Sequence, residues 1–157
     1  MRELAKKIVG KLAEKQYKIS LAETITGGGI TKEIIEVPGS SAVTDFSLIA
    51  YSNQSKVDFL NVPGTVLLQF GAVSEETAEA MVNGLQEISL ANVCLAVSGI
   101  AGPGGATGSK PIGMVCAALK INEEIIKETW YLGDPGREKI IEETIRKCLL
   151  LIAENLE

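Results

Sequence analysis

The chain has 157 residues, 46% of them apolar and 22% charged, a balance that fits one globular domain with a real core and excludes a disordered chain. Its net charge of −5, without a Lys/Arg cluster, argues against nucleic acid as a partner, and no apolar run reaches the ~18 residues of a membrane span. Histidine is absent, which removes the usual zinc ligands, the Ser-His-Asp triad and the Cys-His pair, so any general base must be Lys, Asp, Glu or Tyr.

The opening residues, Met-Arg-Glu-Leu-Ala-Lys-Lys, are charged and amphipathic rather than a signal peptide, and a cytoplasmic location is expected. Leu4, Ala5, Ile8, Leu12 and Ala13 fall at helical spacing, which predicts a helix over residues 2–16. Tyr17 to Ala22 reads as a first strand. It runs into Glu23-Thr24-Ile25-Thr26-Gly27-Gly28-Gly29 and then Ile30, Ile34 and Ile35 at helical intervals, a strand, turn and helix start of the kind that binds anions. The same stretch also fits Thr26 as an N-cap, with the glycines serving close packing.

Val37-Pro38-Gly39-Ser40-Ser41 is a turn carrying two hydroxyls, which either cap and turn the chain or serve chemistry. Phe46 to Tyr51 is a second strand, and Ser52-Asn53-Gln54-Ser55-Lys56 opens a short helix with Ser52 as its cap. Lys56 is either solvated surface or a site residue. Pro63 to Gly71 predicts another short helix stopped by Gly71, and Ser74-Glu75-Glu76-Thr77 begins a longer one with Ala78, Met81, Val82, Leu85 and Ile88 as its core stripe.

Val93 to Val97 is an apolar, buried strand. It ends in the glycine-rich stretch Ser98-Gly99-Ile100-Ala101-Gly102-Pro103-Gly104-Gly105, which reads either as a plain connection or as a loop whose backbone meets a ligand at the carboxyl end of a strand. Ile112 to Leu119 and Ile125 to Leu132, joined at Asn122-Glu123, predict an antiparallel hairpin. Ile140, Ile141, Thr144, Ile145, Cys148, Leu149 and Ile152 describe a closing helix with Arg137 in its first turn. An arginine there opposes the helix dipole, which fits an anion partner or plain solvent exposure. Cys94, Cys116 and Cys148 lie in apolar runs without metal-ligand spacing and are expected to be buried thiols, and neither a metal nor a cofactor is expected. These elements predict a three-layer α/β/α sandwich around a mixed, mostly parallel five-stranded sheet, in a single domain over residues 1–157.

Four separated segments carry a resemblance. They are Ala22 to Gly28, Pro38-Gly39-Ser40-Ser41-Ala42, Tyr51-Ser52-Asn53 with Lys56, and Gly71-Ala72-Val73-Ser74 with the loop from Ser98 to Gly105. In this order and spacing they resemble the CinA C-terminal domain, the nicotinamide mononucleotide deamidase family, over nearly the whole chain. The resemblance implies hydrolysis of the carboxamide of nicotinamide mononucleotide to nicotinate mononucleotide and ammonia. It implies Ser41 as nucleophile and Lys56 as base, with Tyr51 and Ser98 relaying protons or orienting the pair. It further implies a substrate site drawn from Thr24, Gly27, Gly28, Gly39, Ser40, Asn53, Gly99, Ala101, Gly102 and Arg137, with the phosphate on the Gly27 to Gly29 helix start and Arg137. A homo-oligomer is expected. A pyridine-nucleotide or partner-binding module of the same fold, weak or inactive in catalysis, is the alternative, and ammonia release separates the two.

This chain also departs from the family's pattern. Thr24-Ile25 stand where the family usually has Ser-Cys, Phe70 where a His is common, Ser47 for a glycine and Ile141 for a second arginine. The domain often fused upstream is not in this sequence, which reads as a standalone form.

Overall fold

Alternating small and branched apolar residues on β1 (Ile19–Glu23), β3 (Val93–Gly99) and β4 (Met114–Ile121) send side chains to both faces of one sheet, so both faces must be covered. The computed structural model describes residues Met1–Glu157 and shows how. The sheet order is β2-β1-β3-β4-β5, with β2 spanning Thr44–Ile49 and β5 Glu124–Tyr131. β1 pairs in parallel with β2 and β3, β4 runs against β3, and β5 runs against β4 as the predicted hairpin. Only β4 therefore opposes the common strand direction. The expected three-layer α/β/α arrangement with a mixed, mostly parallel sheet is what the chain adopts.

One face packs Ile19, Leu21, Val93, Leu95, Val97, Val115 and Leu119 against α1 (Arg2–Lys15), α2 (Gly29–Ile35) and α6 (Arg137–Asn155). The other face presents Ala22, Cys94, Ala96 and Ala118 to α5 (Glu75–Ser89) and to Leu60, the last residue of α3 (Asn53–Leu60). Small side chains on this second face let α5 approach the strands closely. The short α4 (Gly64–Phe70) ends at Gly71, as its sequence predicts. Ser52 and Ser74 cap α3 and α5, accepting from the Ser55 and Thr77 amides. Cys94, Cys116 and Cys148 are buried, unpaired thiols, and burial pushes the Cys94 thiol up to about 11.

Several boundaries differ from the apolar pattern: β2 covers Thr44–Ile49 rather than Phe46 to Tyr51, β4 covers Met114–Ile121 rather than Ile112 to Leu119, and β3 runs on through Gly99. β1 begins two residues later than the apolar pattern suggests and runs through Glu23, because Ile19 is the first residue paired to both neighbours. Ile88 is 53% exposed: α5 has left the sheet by its last turn, so the buried stripe stops at Leu85.

Gly84 sets the distance between α5 and α3, since a Cβ there would lie 1.7 Å from the Leu60 carbonyl oxygen. Gly84→Ala therefore forces backbone apart and is expected to lower stability by about 3 kcal/mol in urea denaturation, at the upper end for overpacking.

Candidate active site

In a parallel sheet the residues that leave each strand gather at one end, and here that end holds a cavity of about 240 Å³. Thr24 follows β1, Ser98 and Gly99 end β3, and Tyr51 lies just beyond β2. Lys56 rises from α3, and the loop after β3 contributes Ile100, Ala101, Gly102, Gly104 and Gly105. Arg137, at the start of α6, closes the lining.

The chemistry-bearing centre is small. The Thr24 hydroxyl donates to the Ala50 carbonyl at 2.9 Å, and Lys56 Nζ donates to the same oxygen at 2.9 Å and to the Tyr51 carbonyl at 3.3 Å. Hydroxyl and amine are thus held on one atom. Lys56 is 1% exposed and makes no ion pair, so burial pulls its pKa below the usual 10.5. Thr24 and Ser98, both buried, are adjacent: β1 and β3 pair in parallel with Glu23 opposite Val97, and the Thr24 amide continues that ladder to the Val97 carbonyl at 3.2 Å.

The glycine-rich loop is tied down at several points. At its base, the Ile100 amide donates to Met114 and the Gly113 amide to Ile100. Arg137 donates to the Gly102 carbonyl at 2.8 Å and to the Tyr51 hydroxyl at 3.3 Å, while Lys110 Nζ donates to the Phe70 carbonyl at the end of α4. Gly99 packs where a side chain would collide with Ile25 and Val115. Between these ties the amides of Ala101, Gly102, Gly104 and Gly105 have no backbone acceptor, so the loop presents free N–H donors along the cavity.

Of the residues expected at the site, Thr24, Tyr51, Lys56, Ser98, Gly99, Ala101, Gly102 and Arg137 come together. Others do not. Ser41 is exposed on the single 3₁₀ turn Ser40–Ala42, which precedes β2. That is the opposite end of the sheet from the cavity, separated by the six residues of β2, roughly 20 Å of strand. The same placement removes Gly39, whose φ of 90° makes the turn, and Ser40, whose hydroxyl donates to the Ile35 carbonyl. Asn53 begins α3 facing solvent. Gly27 and Gly28 lie in the turn before α2, where the amides of Gly28, Ile30 and Thr31 already donate to the Glu23 carboxylate. The acceptor at this helix start is therefore a side chain of the chain itself. Thr26 is not the cap: its hydroxyl donates to Glu23 and Gly28 holds the N-cap position.

Ile25, Ala72 and Val73 complete the lining and were not singled out as site residues from the sequence. The Gly-Ala-Val-Ser segment carried a signal, but only packing brings it beside Ser98. No cluster of three or more His, Cys, Asp or Glu side chains is placed to hold a metal ion. No helix is long and apolar enough to cross a membrane.

The model of the CinA C-terminal domain family matches residues 1–156. A CinA-like protein of Fervidobacterium nodosum is 41% identical over 143 residues, covering 90% of this chain and 33% of that protein. A CinA-like protein of Akkermansia muciniphila is 48% identical over 115 residues, 73% of this chain and 28% of its own. The crystal structure of competence/damage inducible protein CihA from Agrobacterium tumefaciens superposes with a TM-score of 0.94 at 42% identity, covering 98% of this chain and 94% of that one. The chain spans about a third of the length of these curated relatives and nearly all of the solved one.

Replacing Lys56 by the similarly shaped Met removes a buried amine that has no counter-charge. Lys56→Met is expected to be at least as stable as the native protein at pH 7 by urea denaturation. The folded-state pKa is depressed, so above it the folded protein is deprotonated while the unfolded chain keeps its proton up to about 10.5. Native stability therefore rises with pH through that window, and the advantage of Lys56→Met is expected to shrink toward pH 10.

Proposed function

The chain belongs to the CinA C-terminal domain family, and from that premise we propose that it hydrolyses the carboxamide of nicotinamide mononucleotide, giving nicotinate mononucleotide and ammonia. One observation carries this reading: a hydroxyl and a desolvated lysine converge on the Ala50 carbonyl inside a cavity that also holds Arg137. Because Ser41 lies at the far end of the sheet, the nucleophile in this proposal is Thr24.

The steps balance without a metal. Thr24 Oγ1 attacks the carboxamide carbon while its proton passes to neutral Lys56 Nζ. The oxyanion forms against free loop amides from Ala101 to Gly105. Lys56 returns the proton to the departing nitrogen, ammonia leaves, and Thr24 carries the acyl group as an ester. A water, deprotonated by Lys56, then attacks the ester carbon, the bond to Thr24 Oγ1 breaks to release the acid, and Lys56 returns the proton to Thr24 Oγ1. Ser98 supplies a second hydroxyl beside the reacting centre. Arg137, with donors beyond its two bonds to Gly102 and Tyr51, receives the 5′-phosphate.

Ammonia release from the purified protein tests the reading directly; tight binding without release assigns the cavity to a binding module instead. Thr24→Ala and Lys56→Met are each expected to lower kcat/KM by at least ~10²-fold. Ser41→Ala is expected to leave it near native. The kcat/KM profile is expected to rise with pH and level off below 10.5, where Lys56 loses its proton. Arg137→Ala should cost about 2–4 kcal/mol for the nucleotide and little for nicotinamide riboside, which lacks the phosphate. Equal losses on both would move the phosphate elsewhere.

A second copy of the chain is the partner we propose. β2 is an edge strand with Phe46 and Ile49 exposed, and Tyr51 and Phe59 add apolar surface beyond it. Light scattering at micromolar concentration is expected to give a dimer, and Phe46→Asp to weaken it; a monomeric native protein removes the proposal.

A further inference from the structure

Glu23 is a fully buried carboxylate that forms no ion pair and takes no part in the steps above, yet it borders them on both sides. Its Oε2 accepts from the Thr26 hydroxyl at 2.5 Å and from the Gly28 and Ile30 amides, both at 3.1 Å. Its Oε1 accepts from the Thr31 amide at 2.8 Å and the Thr31 hydroxyl at 2.7 Å. Every one of these donors lies between residues 26 and 31, so the turn after β1 is wrapped around this carboxylate.

The backbone of Glu23 reaches the other way. Its carbonyl accepts the Ala50 amide at 2.9 Å, and the carbonyl of Ala50 is the atom that holds the Thr24 hydroxyl and Lys56 Nζ. Alternation along β1 sends Glu23 toward α2 and Thr24 toward α3 and α5, so the peptide between them is fixed from both faces of the sheet.

We infer that Glu23 is a positioning residue: its carboxylate holds the β1–α2 turn so that the Thr24 hydroxyl meets Lys56 at the Ala50 carbonyl. The inference rests on Thr24 as the nucleophile. Without the carboxylate, the amides of Gly28, Ile30 and Thr31 lose their acceptor and the turn rearranges to find another, carrying Thr24 with it. A displacement on the order of 1 Å at a nucleophile lowers turnover by up to ~10²-fold while leaving remote binding contacts in place.

Glu23→Gln puts an amide NH₂ where N–H and hydroxyl donors converge, and Thr31→Val removes one hydroxyl donor while keeping the amide. Two readouts are needed: kcat and KM for ammonia release from nicotinamide mononucleotide, and the rate at which p-nitrophenyl acetate acetylates Thr24, mapped by peptide mass spectrometry. Glu23→Gln is expected to lower kcat and the acetylation rate together by about 30-fold with KM within twofold and an unchanged far-UV circular dichroism spectrum, and Thr31→Val to fall between. A folded Glu23→Gln protein that acetylates at the native rate overturns the inference and leaves Glu23 as a helix cap. If Glu23→Gln fails to fold, Thr31→Val decides in the same way. Native protein that is acetylated at Thr24 but releases no ammonia sinks the substrate assignment and leaves this test intact; native protein unlabelled at Thr24 overturns both.

Discussion

A carboxyl group buried in a sheet is stable only if donors surround it, and the Glu23 side chain accepts five hydrogen bonds. Its donors are the amides at the start of α2 and the hydroxyls of Thr26 and Thr31, so one side chain both satisfies a helix terminus and dictates where the chain turns. The direction of α2, the exit of β1 and the position of Thr24 follow from that turn.

A second constraint is the pairing of opposite burial requirements at the carboxyl end of the sheet. The Glu23 carboxyl oxygens are surrounded by N–H and hydroxyl donors, whereas Lys56, without a carboxylate partner, is met only by the carbonyls of Ala50 and Tyr51 and is driven toward its neutral form. These two environments lie within one strand end of each other. In the reaction proposed above that amine takes the part of the base, in a chain that has no histidine.

The glycine-rich loop supplies the opposite property, free backbone. Its amides at Ala101, Gly102, Gly104 and Gly105 stay unpaired while Arg137 and Lys110 donate to carbonyls at Gly102 and Phe70, holding the loop against α6 and α4 without consuming those N–H groups. The two cations thus act as struts for a donor surface. Arg137 opposes the dipole of α6, and its bonds to Gly102 and Tyr51 give it a structural reason to be there as well as a position facing the cavity.

The elements, the α/β/α layering and the hairpin were legible in the sequence because hydrophobic period and turn residues are local properties: Ser52, Ser74 and Gly71 cap or stop their helices where the pattern puts them. Much of the cavity was legible too, since Thr24, Ser98 and the glycine loop follow strand ends and a parallel sheet gathers such residues. The placement of Thr24 in the cavity and of Ser41 away from it was not. Both are hydroxyls near glycine turns, and what separates them is that Ser41 precedes its strand while Thr24 follows one, a difference that has a spatial meaning only after β1 and β2 pair in parallel. The glycines at 27 and 28 likewise read as an anion site, and the sequence could not show that the Gly28 amide already donates to the Glu23 carboxyl group. Sequence alone therefore determined which groups could do chemistry here. Tertiary structure decided which of them share one end of the sheet and which donors are already taken, because strand direction and hydrogen-bond partners are settled only between segments far apart in the chain.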